Sequence, residues 1–176
     1  MNLHENKKLF RQAVQTTAQQ KGIPEIYIEK DYWVTHALYT IFTDPLGADA
    51  IFKGGTALSK CYKLIDRFSE DIDLTVLRKD GESDAQMKIK IRELGKVLTA
   101  QLPEVEIGGV TNKKGNIRKT AHTYEKEFQG AYGQIRDVIV LEVTWLGNFE
   151  PYESKFVRTY ISEMMESTDQ GAFIDQ

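Results

Sequence analysis

Apolar positions along the first quarter of the chain recur at helical spacing. Leu9, Phe10, Ala13, Val14 and Thr17 share one face of residues 5–20, and Gly22 follows as a stop, so the pattern predicts an amphipathic helix. Pro24 opens a second run, residues 25–43, with two apolar stripes: Ile28, Tyr32, Thr35, Tyr39 and Phe42 on one, Val34, Ala37, Leu38 and Ile41 on the other. A helix apolar around so much of its girth is expected to be largely buried. The period then changes. Ile51 and Phe52 precede the pair Gly54-Gly55, a short helical run follows over 56–64, and Ile72, Leu74 and Val76 alternate with Asp71, Asp73 and Thr75 as in a strand with one apolar face. Ser83 with Gln86 is a capping-box pattern, after which Met87, Ile91, Leu94 and Leu98 mark one helix face until Pro103 ends it. Three strand-like runs follow, 105–111, 119–128 and 134–145, the first two joined by the turn sequence Asn112-Lys113-Lys114-Gly115-Asn116. Residues 152–165 fit both periods: Phe156, Val157, Tyr160, Ile161 and Met164 suit a helix, whereas Phe156, Arg158 and Tyr160 alternate like a strand.

These elements predict a mixed α/β fold, a short twisted sheet flanked by helices. At 176 residues and 41% hydrophobic content the chain is most simply a single domain, 1–176. No apolar run is long enough to span a bilayer and the start lacks a secretory apolar core, so a cytoplasmic protein without a membrane partner is expected. The single cysteine, Cys61, is expected to be a buried thiol. His4, His36 and His122 have no metal-ligand spacing, and zinc is not indicated. A net charge of -3 offers nucleic acid no global attraction, so any RNA contact must come from a local patch.

The candidate chemistry lies between Lys53 and Val76. Asp71 and Asp73 fall on the same face of the predicted strand, and two adjacent carboxylates repel unless a cation sits between them. Mg²⁺ suits such a pair, because it typically takes one or two protein carboxylates and leaves its other positions to water and substrate phosphates. Gly54 and Gly55 offer unhindered amides before a helix start, and Thr56 and Ser59 could add hydroxyl donors, so the stretch reads as a site for metal-bound nucleoside triphosphate. Taken alone, a glycine pair is usually a tight turn and an Asp-x-Asp strand usually a solvated face. Their closeness in one strand–helix–strand unit favours the joint reading. Nucleotidyl transfer also calls for a third acid, and Glu142, an ionisable residue in the apolar run 138–145, is the candidate; the alternative is an edge-strand glutamate facing water. Lys53, Arg67 and Ser69 flank the motif and could reach phosphate oxygens. Lys113, Lys114, Arg118, Lys119, His122, Tyr124 and Lys126 form a basic and aromatic cluster suited to RNA, or equally a solvated hairpin.

Gly54-Gly55-Thr56-x-Leu58-Ser59 and Arg67-x-Ser69-x-Asp71-Ile72-Asp73-Leu74 resemble the motifs of the AbiEii/AbiGii-type nucleotidyltransferase toxins, and Glu29-Lys30-Asp31-Tyr32-Trp33-Val34 is similar to the family's signature helix. The resemblance covers roughly residues 5–165. It implies the DNA polymerase beta-like nucleotidyltransferase fold, Mg²⁺ as cofactor, a nucleoside triphosphate donor, and a toxin paired with a cognate antitoxin protein in a toxin–antitoxin or abortive-infection system. It also matches Glu142 to an acidic residue on a late core strand, and tips residues 152–165 toward strand. Glu29, Lys30 and Asp31 are then either cleft-lining or simply a solvated helix start. Family members carry a further helical C-terminal domain, so this chain is expected to be a fragment or shortened form. The acceptor would be a hydroxyl of tRNA, another RNA or a protein; the alternative is a non-catalytic nucleotide- or partner-binding module.

Overall fold

A computed structural model describes residues 2–65, 68–130, 133, 136–147 and 151–168. Helix α1, Lys7–Lys21, starts where the Asn6 side chain accepts from Leu9 N and stops where Gly22 turns left-handed at φ 67°, its N–H reaching Ala18 O. Helix α2, Glu25–Thr43, has the predicted bounds and is buried along most of its length. Strand β1, Ala50–Lys53, runs directly into α3, Gly54–Lys60. The helix expected over 56–64 therefore begins two residues earlier and ends sooner, with Lys63 at a positive φ of 54°. Cys61 lies at its C-terminal boundary, half-buried rather than in the core.

Strand β2 is Ile72–Val76, and α4, Asp84–Thr99, carries the expected capping box of Ser83 and Gln86. The next expected strand shrinks to β3, Glu104–Val105, because Gly108 and Gly109 turn the chain, with Val110 N and Thr111 N both donating to Ile107 O. Strand β4, Ile117–His122, starts earlier and ends earlier than the alternation suggested. Beyond it the N–H groups of Glu127 and Phe128 are taken by the Glu29 carboxylate at 2.7 and 3.2 Å, not by a neighbouring strand. Strand β5 is Ile139–Thr144; residues 134 and 135 of the expected run lie outside the described residues.

The tail expected as strand is helical instead. Helix α5, Tyr160–Ser167, is capped by Thr159, whose hydroxyl accepts from Ser162 N; it packs on α1 and α2, buries Ile161 and Met164, and sends Ile161 into the core. A cap plus an apolar pair at i and i+3 satisfies this segment without a sheet edge.

Among the described residues five strands form one mixed sheet in the order β1-β2-β5-β4-β3, in which β2 and β5 are parallel and the other neighbours antiparallel. The mixed α/β class expected from the sequence holds, consistent with a nucleotidyltransferase-like fold. Ile72, Leu74 and Val76 of β2 and Ile139, Leu141 and Val143 of β5 enter a single core with Phe10 and Val14 of α1, Ile28 and Leu38 of α2, and Met87 and Leu94 of α4. Side chains alternate across a sheet, so the intervening residues of β2 and β5, Asp73 and Glu142 among them, face away from these helices. One end of that second face is covered by a smaller cluster, Ala121 and Val140 with Val105, Ile107 and Val110.

Candidate functional site

The register brings one charged residue from each of four strands into a row. Lys53 of β1 pairs with Asp73 of β2, Asp73 with Glu142 of β5, and Glu142 with Lys119 of β4. Directly paired residues project to the same side, so two carboxylates sit side by side between two ammonium groups. Lys119 Nζ lies 3.1 Å from Glu142 Oε2. Glu142 is on a central strand, which removes the edge-strand alternative. Asp71 immediately precedes β2, and its carboxylate is 3.3 Å from the Arg136 guanidinium. Burial raises the Asp73 carboxyl above the usual carboxylate range, and the negative charges of Glu142 and Asp71 raise it further, against the opposing pull of Lys119 and Lys53.

Gly54 is shaped around Asp73. It has φ 78°, and a Cβ built on it would run into the Asp73 carboxylate. Glycine is needed there for backbone conformation and for space at once. Gly54→Ala is expected to cost about 1–3 kcal/mol in chemical denaturation and to displace Asp73, since neither the strained backbone nor the overlap can relax alone. An unchanged denaturation midpoint would show that the turn has another accessible geometry.

The other motif residues divide by placement. Lys53 and Gly54 are exposed and Gly55 half-buried at the start of α3, beside Asp73. Thr56 is fully buried: its hydroxyl donates to Asp71 O at 2.5 Å and meets Ser69 Oγ at 2.8 Å, so it ties α3 to the segment before β2 instead of facing solvent. Ser59 is half-buried. Arg67 lies outside the described residues.

Glu29, Lys30 and Asp31 are neither a solvated helix start nor cleft-lining; they are 0%, 0% and 4% exposed. Each holds a different segment. Glu29 accepts from the backbone of Glu127 and Phe128; Lys30 pairs with Glu70 and donates to Arg136 O and, at 2.7 Å, to Val138 O; Asp31 pairs with Lys60 of α3 and accepts from Tyr160 N at 2.7 Å. Glu70 also accepts from Arg136 N at 2.9 Å. The residue before Asp71 and the segment that carries Arg136 are thus both fastened to α2. Burial pushes the Glu29 and Asp31 carboxyls up and the Lys30 ammonium down. Buried charges persist when each is paired, and three consecutive ionisable residues in an otherwise apolar helix were the signal for this brace.

The basic and aromatic cluster does not stay together as one surface, and its two aromatic members are withdrawn from solvent. His122 is fully buried, with Thr120 and Leu102 O at its two ring nitrogens, and Tyr124 stacks on Trp33 with 7% exposure. Lys126 pairs with Asp137, and Lys119 belongs to the carboxylate row. Arg136, which the sequence did not single out, stands beside Asp71; a lone arginine near the start of the strand-like run 134–145 carried no signal of its own.

Among the described residues no group of three or more His, Cys, Asp or Glu side chains is arranged to hold a metal ion. Asp71 leans to Arg136 and Glu142 to Lys119. The donor set nevertheless suits a hard cation that completes its shell with substrate phosphates: Asp73 and Glu142 supply oxygen ligands, and their mutual repulsion favours a cation between them.

The sequence model of a protein family described as nucleotidyl transferase AbiEii toxin, type IV toxin–antitoxin system, matches residues 36–173. That span contains the glycine pair, both aspartates, Arg136 and Glu142, and begins just beyond Glu29-Lys30-Asp31. No curated protein matches the chain. Among the described residues no helix is long and apolar enough to cross a membrane.

Proposed function

The chain belongs to the AbiEii family of nucleotidyl transferase toxins of type IV toxin–antitoxin systems, and from this premise we propose that it transfers a nucleoside monophosphate from a nucleoside triphosphate to a hydroxyl of RNA or protein at the carboxylate row. The supporting observation is the register of β1, β2, β5 and β4, which aligns Lys53, Asp73, Glu142 and Lys119 on the sheet face turned away from the helices.

In this reading the acceptor hydroxyl attacks the α-phosphorus in line, a new P–O bond forms and pyrophosphate leaves. Lys53 and the amides of Gly54 and Gly55 hold the leaving phosphates, while Thr56 and Ser69 brace the Asp71 segment. Arg136, half-exposed beside Asp71, offers a planar fork to phosphate oxygens, and Arg67 and Ser59 are further donors on the sequence motif alone. Glu142 takes the acceptor proton, and Lys119 keeps its carboxylate oriented. Asp71, Asp73 and Glu142 would hold Mg²⁺, which when bound supplies positive charge at the donor phosphates. A single nucleotidyltransferase domain, restrained in the cell by a cognate antitoxin protein, is the unit proposed.

The test is to incubate the protein with each α-labelled triphosphate, Mg²⁺ and total cellular RNA and protein, and to identify the labelled macromolecule. Glu142→Gln should reduce pyrophosphate release at least about a hundredfold while leaving triphosphate affinity within a few fold, because the glycine turn and aspartates hold the donor. Unaltered turnover in that variant would remove Glu142 from the mechanism. Nucleotide binding by the parent without any pyrophosphate release would instead identify a binding module.

A further inference from the structure

Helix α4 and the turn leading into β4 enclose a pocket of about 250 Å³ lined by Lys88, Arg92, Lys113 and Arg118, with Ile91 and Ile117 as its apolar wall. Its lining holds four cations and no carboxylate. The acids behind it neutralise this charge only in part: Glu104 lies 2.5 Å from Lys113 and 3.7 Å from Arg118, Glu106 is 3.4 Å from Lys113, and Glu93 takes Arg92 at 3.1 Å. Lys88 has no ion-pair partner among the described residues. Arg118 is set in place before any ligand arrives. Its side chain is 16% exposed, and its Nε lies 3.0 Å from where a Cβ on Gly95 would stand, so the absence of a side chain at Gly95 lets the guanidinium lie across α4. Like charges gathered in one pocket repel, and an anion relieves that repulsion. The planar fork of Arg118 and the point charges of the lysines suit phosphate oxygens, and the exposed Ile117 can cover a sugar or base.

We propose that this pocket binds a backbone phosphate of single-stranded nucleic acid, at a place separate from the carboxylate row. Arg118 and Lys119 are neighbours on β4, so their side chains leave on opposite faces: Lys119 reaches Glu142, and Arg118 lines the pocket. A strand passing over the start of β4 joins the two sides. That this strand is the acceptor rests on the nucleotidyl-transfer reading.

Binding of a labelled single-stranded RNA oligonucleotide to the full chain, without triphosphate, is measured over a range of salt concentrations. Lys88→Ala/Arg92→Ala removes two exposed charges. It should weaken binding about tenfold and flatten the slope of log affinity against log salt by about 1.4, the value for two lost contacts to a single strand. Lys8→Ala/Arg11→Ala removes the same charge from α1 and should change neither. Equal effects of the two pairs would overturn the pocket. So would poly-glutamate binding as tightly as the oligonucleotide with the same dependence on Lys88 and Arg92, or a loss of inorganic phosphate binding with strand binding unchanged, which would make it a site for free phosphate. Transfer is assayed on the same preparations: pocket-dependent strand binding by a parent protein that transfers nothing would defeat the transfer reading and leave the pocket standing.

Discussion

Asp73→Asn will abolish nucleotidyl transfer without lowering stability at neutral pH, and the thermal midpoint will match or exceed that of the parent. The carboxyl is half-buried, with Glu142 beside it in register and Asp71 two residues away, and its proton affinity is raised by burial first and by those charges second. The folded chain therefore keeps the proton to higher pH than the unfolded chain, where an aspartate titrates near about 3.9. Native protein binds more protons across that window, so this group's contribution to stability falls as pH rises through it, and the full cost persists above the raised pKa. An amide of the same shape removes the cost. The variant's advantage should thus be greatest at neutral pH and vanish in acid, where both side chains are uncharged. Activity should fall at least about a hundredfold, as when one preorganised electrostatic partner is removed from a reacting centre. Pyrophosphate release, with thermal melts from acid to neutral pH, checks both halves. Parental activity, or a midpoint several degrees lower at neutral pH, would mean that Asp73 serves the fold.

Lys30→Met should be the most destabilising single change in the brace beneath the site. The ammonium is 0% exposed, pairs with Glu70, and donates to two backbone carbonyls, Arg136 O and Val138 O. Removing one partner of a buried pair strands the other charge and typically costs about 3–5 kcal/mol, which in a chain of this size is a midpoint loss on the order of 10 °C. Lys30→Met/Glu70→Leu should recover only part of that loss, because no lone charge remains but the Arg136 N–H and the Arg136 and Val138 carbonyls lose their partners. A midpoint within about 2 °C of the parent for the single variant would show that the pair contributes little.

Local order was legible where the chain supplies its own stop signals. The bounds of α2, the Ser83 capping box of α4 and the one-sided alternation of β2 follow from Pro24, from a Ser/Gln pair three residues apart and from side-chain period, all properties of a few neighbouring residues. Longer-range competition defeated the same reasoning. Alternation would have continued β4 to residue 128, but Glu29, some hundred residues away in sequence, takes the amides that a strand would need. The tail satisfied both periods, and burial of Ile161 in the core, with α5 packed on α1 and α2, decided for the helix.

The same division runs through the candidate site. The types and spacing of Gly54, Asp71 and Asp73 are intrinsic to the sequence, because strand alternation alone puts both aspartates on the face opposite the apolar set. That Glu142 stands next to Asp73 with Lys53 and Lys119 outside them depends on strand order and register, which no local pattern encodes. Sequence singled out Glu29, Lys30 and Asp31 only as a cleft-lining or solvated helix start, through the family resemblance. Only the tertiary structure buried them, because their partners Glu70, Lys60 and the backbone of residues 127, 128, 136, 138 and 160 come together through folding, and a charge can leave water only where such partners are waiting.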